Sequence, residues 1–196
     1  MRILEKLFQK KYCKNCEYKR VAAYLLDEND KLKEELNKFE KLKYFLEEAS
    51  NENKHILYFN KNASKNALLV ITVKEEYDYT GRLKYLTIMG YTGNNIYGYD
   101  RIHPIMYVDV YQDIKNTYLH HFYIVDFLCE PNKGYGSIIM KSFIEYAKEF
   151  RVPFISGFLS PIDTSSEEHK QRLIHFYTKF GFSIDDKYNI KLSLFK

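Results

Sequence analysis

The chain has 196 residues, of which 45% are hydrophobic and 29% charged, with only 8 Gly and 4 Pro. This composition excludes disordered, low-complexity and collagen-like proteins, and the length allows one domain, with or without an appendage, to bury about 70% of its unfolded surface. The net charge is +4. Residues 1–20 alone carry +5, from seven Lys or Arg less two Glu, so the remaining chain is close to neutral.

Several classes of protein are not indicated. No run approaches the roughly 18 apolar residues of a membrane span, and the basic N-terminal end lacks the apolar core of a secretory signal. We therefore expect a cytoplasmic protein with no membrane partner. The basic charge is local and no nucleic-acid motif accompanies it, so a nucleic-acid partner is not expected.

The three cysteines are Cys13, Cys16 and Cys129. An odd and small number of cysteines predicts reduced thiols rather than a disulfide framework. Cys13 and Cys16 are too few for a four-ligand zinc site, although two copies of the chain could supply four thiolates. We interpret them as reduced thiols and predict no metal site.

A long helix is predicted over residues 18–48, which contain no Gly or Pro and are rich in Ala, Leu, Glu and Lys. Apolar residues recur every seven positions at Leu25, Leu32, Phe39 and Leu46. With these at heptad position d, Asn29 falls at position a, a pattern typical of a two-stranded coiled coil. The same stripe could instead pack against the protein's own sheet. We predict a basic leader and a coiled-coil segment over residues 1–50, with a homodimer formed through the helix.

A second domain is predicted over residues 51–196, and it opens with strands. Short segments rich in β-branched or alternating apolar residues are separated by turn signals, which predicts an antiparallel meander. These strands are expected at 55–60, 67–74, 83–91 and 105–111. Residues 118–129 are nearly all apolar or aromatic, which predicts a central strand covered on both faces.

The remainder alternates helices and strands. A glycine turn at 133–136 precedes a helix at 137–150 and a buried strand at 152–159. A helix at 167–180 is stopped by Gly181, and a last strand follows at 188–195. This order predicts an α/β fold of the α+β kind, with a mixed sheet flanked by helices.

The glycine turn is the first candidate site. Residues 132–137 join a buried strand to a helix, where free backbone N–H groups can hold an anion such as a pyrophosphate. Gly134 and Gly136 allow close approach, because no Cβ intervenes. A tight turn without a ligand is the alternative. Neither a P-loop nor a Rossmann fingerprint is present.

Two segments resemble the GNAT superfamily of acyl-CoA-dependent N-acetyltransferases. The first is Phe127-Leu128-Cys129-Glu130-Pro131-Asn132-Lys133-Gly134-Tyr135-Gly136-Ser137-Ile138-Ile139-Met140, and the second is His175-Phe176-Tyr177-Thr178-Lys179-Phe180-Gly181-Phe182. Together they cover about residues 118–196. One departure is Pro131, three positions before Gly134, where the family commonly has Arg or Gln. A side-chain contact to the pyrophosphate is thereby lost, but the backbone contacts remain, because only Pro131 itself lacks an N–H.

The resemblance implies a GNAT-like acyl-CoA N-acyltransferase fold with acetyl-CoA as cosubstrate. The cofactor would lie between the strand ending at Cys129 and the strand ending at Leu159, which separate at their C-terminal ends. The pantetheine arm would contact backbone at Leu128 and Cys129. The pyrophosphate would contact the amides of Asn132, Lys133, Gly134, Tyr135, Gly136 and Ser137. The acetyl group passes directly from thioester to amine in this family, so Cys129 need not be a nucleophile and is interpreted as a small buried residue.

Tyr177 is the general acid that the resemblance implies, protonating the departing CoA thiolate. Tyr177 also belongs to an i, i+3, i+4, i+7 apolar stripe, so a core role is the alternative. If Gly181 ends the helix, Phe182 would contact Tyr177 across the helix end.

The base that deprotonates the amine is less well defined. His120 and Asp126 have the strand parity of Leu128, which predicts one shared face, with His121 on the other. A His titrates near neutral pH and suits proton removal, whereas Asp126 could equally form a structural hydrogen bond. An ordered water chain could replace both.

The predicted function is transfer of an acetyl group from acetyl-CoA to an amine-bearing acceptor, either a small molecule or a protein. One alternative is a non-catalytic acyl-CoA-binding regulatory module, favoured by Pro131 and by the lack of a definite base. Another is an adaptor in which the N-terminal coiled coil is the active part.

Overall fold

A computed structural model of the chain describes residues 2–52, 54–60, 68–92, 104–113, 116–160 and 166–195. The chain divides into two compact units, Met1–Tyr44 and Phe45–Lys196. The division falls before the boundary that the sequence predicts at residue 50. No described helix is long and apolar enough to cross a membrane.

Helix α1 spans Arg2–Asn51 and includes the basic leader. The sequence predicts a helix only over residues 18–48, so both predicted ends are wrong. The physical reason is that residues 2–51 contain neither Gly nor Pro, and no helix-stopping residue interrupts the run. The side chains of Cys13 and Cys16 lie outside the described residues.

The described strands form one eight-stranded sheet in the order β1-β2-β3-β4-β5-β6-β8-β7. The strands are β1 Lys54–Phe59, β2 Leu68–Tyr77, β3 Leu83–Thr92, β4 Ile105–Asp113, β5 Asn116–Leu128, β6 Phe154–Phe158, β7 Ser183–Ile184 and β8 Asn189–Ser193. Strands β1 to β5 form the predicted antiparallel meander. In the described part of the sheet, β5 and β6 alone run parallel. The mixed α/β sheet predicted from the sequence is therefore confirmed.

Two further helices follow β5 and β6. Helix α2 spans Tyr135–Glu149 and helix α3 spans Glu167–Lys179, close to the predicted ranges. The Ser166 hydroxyl caps α3 by accepting from the N–H of His169 at 3.5 Å, and Glu167 and Glu168 lie in the first turn, where the helix dipole favours negative charge.

One face of the sheet packs against α2 and forms the core. Phe122 of β5 is fully buried, and its ring stacks on Phe143 and Tyr146 of α2 at centroid distances of 5.9 and 6.5 Å. Residues that share this face along neighbouring strands are buried as well, because side chains alternate between faces. We refer to this as the covered face, and it includes Ile88, Met106, Val108, Val110, Phe122, Ile124 and Ile155.

The opposite face of β3 to β6 carries aromatic side chains that are only partly buried. Tyr111 stacks on His121 at 5.0 Å, and His121 stacks on Phe154 at 4.6 Å. We refer to this as the aromatic face, and it includes Tyr85, Tyr107, Tyr111, His121, Tyr123 and Phe154. The prediction that residues 118–129 are covered on both faces is therefore wrong for the described side chains of β5. Its outer positions hold aromatic residues and one exposed Val125, which tolerate contact with water.

Candidate functional site

Strands β5 and β6 are paired over only part of their length. The parallel register ends with Ile124 opposite Gly157, whereas β5 continues to Leu128. Within the described sheet, β5 beyond Ile124 pairs only with β4. The edge of β5 that faces β6 is therefore open over residues 125–128, which we refer to as the open edge. The pairing thus ends near the C-terminus of β6, which stops at Phe158, and this is the place where the sequence resemblance implies that the two strands separate.

A β-bulge lies at the same point of β5. Tyr107 of β4 is opposite Asp126, but the next residue, Val108, is opposite Ile124, so Val125 is an extra residue in β5. A bulge bends its strand and increases the local twist. The bulge at Val125 therefore bends β5 directly after the residue at which its pairing with β6 ends.

The extra residue also changes the face on which Asp126 lies. Asp126 is directly opposite Tyr107, so it shares the aromatic face with His121. His120 is paired with Gln112, a position of β4 that alternates with Tyr107 and Tyr111 and so belongs to the opposite face. The prediction that His120 and Asp126 share a face is wrong, because counting by twos assumes an unbroken strand and Val125 interrupts it. The side chain of His120 lies outside the described residues.

The turn between β5 and α2 has left-handed backbone at two positions. Gly134 is the N-cap of α2 with φ 78° and ψ −7°, and Asn132 has φ 62°. Glycine adopts such a φ without strain, and Asn tolerates it better than most residues. A left-handed residue next to a helical one directs successive N–H groups to one side, where an anion can bind. A Cβ added at Gly134 would meet no described atom within 4 Å, so the turn is open to a ligand.

The first turn of α2 packs against the end of β5 and against α3. A Cβ added at Gly136 would lie 3.5 Å from the Cys129 sulfur and 3.4 Å from the Phe176 ring. The Lys179 ammonium donates to the Ser137 hydroxyl at 3.4 Å. The end of β5, the glycine turn and α3 therefore meet at one place.

The Cys129 thiol is held in its neutral form. Burial raises the pKa of Cys129 to about 11, and the N–H of Gly136, directed at the sulfur, lowers it only in part. A thiol with this pKa is protonated at neutral pH and is a poor nucleophile. This agrees with the interpretation of Cys129 as a small buried residue that need not be a nucleophile.

Tyr177 lies in the core near the end of α3. Its side chain is 6% exposed, and its ring packs edge-on against Phe176 at 5.3 Å and Phe182 at 5.4 Å. The N–H of Phe182 donates to the Tyr177 carbonyl at 3.2 Å, and the N–H of Gly181 donates to the Thr178 carbonyl at 2.9 Å. With Gly181 at φ 87°, this is a Schellman helix end. The predicted contact between Phe182 and Tyr177 is confirmed, so Tyr177 has a structural role whatever its chemistry.

The remaining predicted cofactor residues surround the same turn. Leu128 ends β5 and is partly exposed. The Lys133 ammonium lies 4.0 Å from the Glu130 carboxylate, and both are exposed. The Tyr135 side chain is buried in the core, so only its backbone could contact a ligand. The structure thus brings Leu128, Cys129 and residues 132–137 together. Phe176 lies next to Gly136 of this group, and Tyr177 packs against Phe176.

Two features near the site were missed at the level of sequence. The bulge at Val125 leaves no mark on the apolar pattern. The second is a carboxylate, Asp109, placed between Tyr107 and Tyr111 on the aromatic face. The alternation of these three residues was a usable signal, because i and i+2 of a strand share a face. Among the described residues, no three His, Cys, Asp or Glu side chains are grouped as a metal ion would require.

Similarity to known proteins is limited at the level of sequence. No protein-family profile matches the chain. Over 62 residues it is 37% identical to the uncharacterized protein YocC of Bacillus subtilis (strain 168), a segment that covers 32% of this chain and 36% of YocC. The chain thus matches about a third of that protein's length.

Several solved structures are similar in fold. Arabidopsis thaliana Naa50 in complex with the bisubstrate analogue CoA-Ac-MVNAL matches with a TM-score of 0.42 and 18% identity, over 55% of this chain and 72% of that one. A GNAT-family acetyltransferase from Streptococcus pneumoniae matches with a TM-score of 0.39 and 17% identity, over 56% of this chain and 66% of that one. The structure of yncA from Salmonella typhimurium with its cofactor acetyl-CoA matches with a TM-score of 0.38 and 10% identity, over 57% of this chain and 66% of that one.

These scores are too low to carry the assignment of the fold. The GNAT-like fold is assigned from the topology of this chain: the antiparallel meander, the parallel pair that separates at its ends, and the glycine turn that opens α2. The last two are features that the sequence resemblance implies, and the meander is predicted from the strand patterns and turn signals.

Proposed function

We propose that the protein transfers an acetyl group from acetyl-CoA to an amine. The observation that carries this proposal is the open edge of β5, which leads directly to the left-handed turn at Gly134. Unpaired N–H and C=O groups of a strand edge can bind an extended chain such as a pantetheine arm. The turn and the N-terminus of α2 add N–H groups and a positive dipole end, which suit a pyrophosphate.

The acceptor would approach from the aromatic face, since α2 packs on the covered face. The amine nitrogen forms a bond to the thioester carbonyl carbon, and the carbon–sulfur bond breaks. The amine loses one proton and the CoA sulfur gains one. Asp126 is the proposed base, because its exposed carboxylate lies at the open edge on the aromatic face. Tyr177 is the proposed acid, and His120 stays a prediction.

We also propose a homodimer formed through α1. Leu25, Leu32 and Phe39 of the heptad stripe are 59%, 63% and 69% exposed, and a parallel pair would cover them. Analytical ultracentrifugation at micromolar concentration should give the mass of a dimer, and Leu32→Glu should give a monomer. A monomeric wild-type chain would contradict this proposal.

A cytoplasmic location is proposed from the sequence alone.

Calorimetry with acetyl-CoA, followed by a thiol-release assay with a panel of amines, tests the proposed function. We expect saturable binding of acetyl-CoA and release of CoA only when an acceptor amine is present. Binding without release for any amine would favour the acyl-CoA-binding regulatory module. Absence of binding would contradict both. Activity that persists after removal of residues 1–50 would exclude the adaptor hypothesis, in which the helix is the active part.

A further inference from the structure

Asp109 lies at the centre of the aromatic face. It is directly opposite Tyr85 of β3 and Tyr123 of β5, so the three residues share a face. The pKa of Tyr111 is raised, first by desolvation and then by the negative charge of Asp109. The Tyr111 ring also packs edge-on against Tyr123 at 6.0 Å. With Tyr107, which lies two residues before Asp109 on the same face, one carboxylate therefore has four tyrosines at neighbouring positions.

The charge of Asp109 has no cationic partner in the described part of the chain, where no ion pair includes it. Rings on this face already contact ammonium groups: Lys84 lies 5.7 Å from the centre of the Tyr85 ring, and Lys191 lies 4.3 Å from that of Phe154. A carboxylate ringed by aromatic side chains is an environment that binds an organic ammonium, through charge and through cation–π attraction.

A cleft of about 340 Å³ gives access to this carboxylate. Tyr85, Asp109 and Tyr111 line it, and Arg82 and Lys84 also line it. Tyr85 and Tyr111 are 44% and 48% exposed, so their rings are accessible from solvent.

Asp109 lies one strand away from the open edge. Asp109 is opposite Tyr123, which is two residues from Val125. Strands are spaced by about 4.8 Å and rise about 3.3 Å per residue, so the Cα atoms of Asp109 and Val125 are roughly 8 Å apart. Asp126 lies at the open edge itself, opposite Tyr107, and Asp109 is two residues from Tyr107 on the same strand. The two carboxylates therefore flank Tyr107 on one face.

The two positions suit two different amines. A carboxylate stabilises a nearby ammonium in its charged form, whereas a reacting amine must lose its proton. Asp109, displaced from the open edge, therefore suits an ammonium that stays charged throughout the reaction, while Asp126 is the carboxylate beside the reacting amine.

We infer that the acceptor is a short alkyl diamine, with its reacting amine at the open edge and its second ammonium bound by Asp109 among Tyr85, Tyr111 and Tyr123. The inference rests on the proposed function, which places the reaction at the open edge. Two carboxylates, Asp109 and Asp78, offset the charges of Arg82 and Lys84 in the same cleft. The short distance between Asp109 and the open edge is what favours a short diamine.

Calorimetric binding of 1,4-diaminobutane and of butylamine to the full chain, without acetyl-CoA, tests the diamine site. The diamine should bind about tenfold more tightly, and Asp109→Asn should remove that preference, so that the two amines bind with similar affinity. The matched control is Glu145→Gln, which removes an exposed carboxylate that is ion-paired with Lys148 on α2. It should leave the binding of both amines unchanged.

A second pair of variants tests the aromatic contribution. Tyr111→Phe keeps the ring and should keep diamine affinity within about twofold, whereas Tyr111→Leu removes the ring and should lower it about fivefold. Equal affinities for the two amines, or no effect of Asp109→Asn, would overturn the inference even if acetyl-CoA binds. Diamine binding that depends on Asp109 in a chain that does not bind acetyl-CoA would instead overturn the proposed function and, with it, the role of the diamine as acceptor.

Discussion

The two faces of the sheet use aromatic residues in different ways. On the covered face, Phe122 is enclosed by rings of α2 and has no contact with water. On the aromatic face, Tyr111 and His121 stack on one another yet stay partly exposed, with Asp109 and Asp126 beside them. Stability should therefore depend mainly on the covered face, and recognition of the acceptor on the aromatic face.

Tyr177 does not fit a simple separation of stability from function, because it is buried in the core and yet is proposed to act in the reaction. Tyr177→Phe removes one hydroxyl and keeps the ring packed between Phe176 and Phe182. The unfolding free energy should fall by about 1 kcal/mol or less. If Tyr177 is the general acid, kcat should fall by roughly 10² to 10⁴ while acetyl-CoA affinity changes little.

The measurement is kcat under conditions in which chemistry limits the rate, together with acetyl-CoA affinity from calorimetry. A variant with near-wild-type kcat would leave Tyr177 with its structural role at the end of α3 alone.

Truncating one aromatic residue on each face compares what the two faces contribute to the unfolding free energy. Phe122→Ala removes a fully buried ring and should cost about 3–5 kcal/mol of unfolding free energy. Tyr111→Ala removes a ring that is nearly half exposed and should cost on the order of 1 kcal/mol. Urea unfolding of both variants measures the difference. Similar losses would mean that the aromatic face is as important for stability as the covered face.

The covered face contains a polar cluster, in which Glu75 of β2 accepts hydrogen bonds from Tyr146 of α2 at 2.6 Å and from Tyr77. His55 lies 3.6 Å from the same carboxylate. Burial, and then the charge of Glu75, raise the pKa of Tyr146 well above its ordinary value. Tyr146→Phe should cost about 1–3 kcal/mol, since it removes a hydrogen bond to a mostly buried carboxylate.

Tyr77→Phe is the matched control for this cluster, because it removes a hydrogen bond to the same carboxylate from an exposed residue. Its cost in thermal or urea unfolding should be smaller than that of Tyr146→Phe. A larger cost for Tyr77→Phe would show that the contact between α2 and β2 does not depend on this hydrogen bond.

The smallest predicted effect is a pH dependence from the aromatic face. Burial, and then the positive charge of Lys191, lower the pKa of His121 from 6.5. The folded state therefore favours the neutral imidazole. The stabilising contribution is present above pH 6.5 and is lost as the pH falls through the lowered pKa. The effect should be modest because the imidazole is partly exposed.

His121→Phe keeps a stacked ring between Tyr111 and Phe154 but cannot titrate. The difference in unfolding free energy between the wild type and His121→Phe should therefore shift in favour of the variant as the pH falls from 7.5 to 5. A difference that is independent of pH would contradict the lowered pKa.

Most of the fold follows from local patterns. Alternation, β-branched content, apolar runs and turn signals together predict β1 to β6 and β8 to within a few residues. The two-residue β7, Ser183–Ile184, is too short to repeat. Gly181 predicts both the end of α3 and the contact between Phe182 and Tyr177, because a Schellman end has a fixed geometry.

The site is less predictable than the fold. The turn at Gly134 follows from residue types, since a left-handed φ at a helix start favours glycine. The face of Asp126 does not, because the bulge at Val125 depends on the register with β4, which is a contact between distant parts of the sequence. The same limit hides Asp109, whose partners Tyr85 and Tyr123 come from two other strands.

The central claim is that acyl-CoA binds at the open edge and on the turn at Gly134. The chain offers a matched pair for testing it: Gly134 and Gly81 both have φ 78°, and a Cβ at either position meets no described atom within 4 Å. Valine should therefore strain the backbone about equally at the two positions. Only Gly134 lies at the N-terminus of α2, whereas Gly81 lies in the turn between β2 and β3.

The decisive measurement is the shift in melting temperature that acetyl-CoA causes in the wild type, Gly81→Val and Gly134→Val. Both variants should melt below the wild type without ligand. Acetyl-CoA should then raise the melting temperature of the wild type and of Gly81→Val by the same amount, and that of Gly134→Val not at all. Equal shifts in all three proteins, or no shift in the wild type, would contradict the placement of acyl-CoA at this turn.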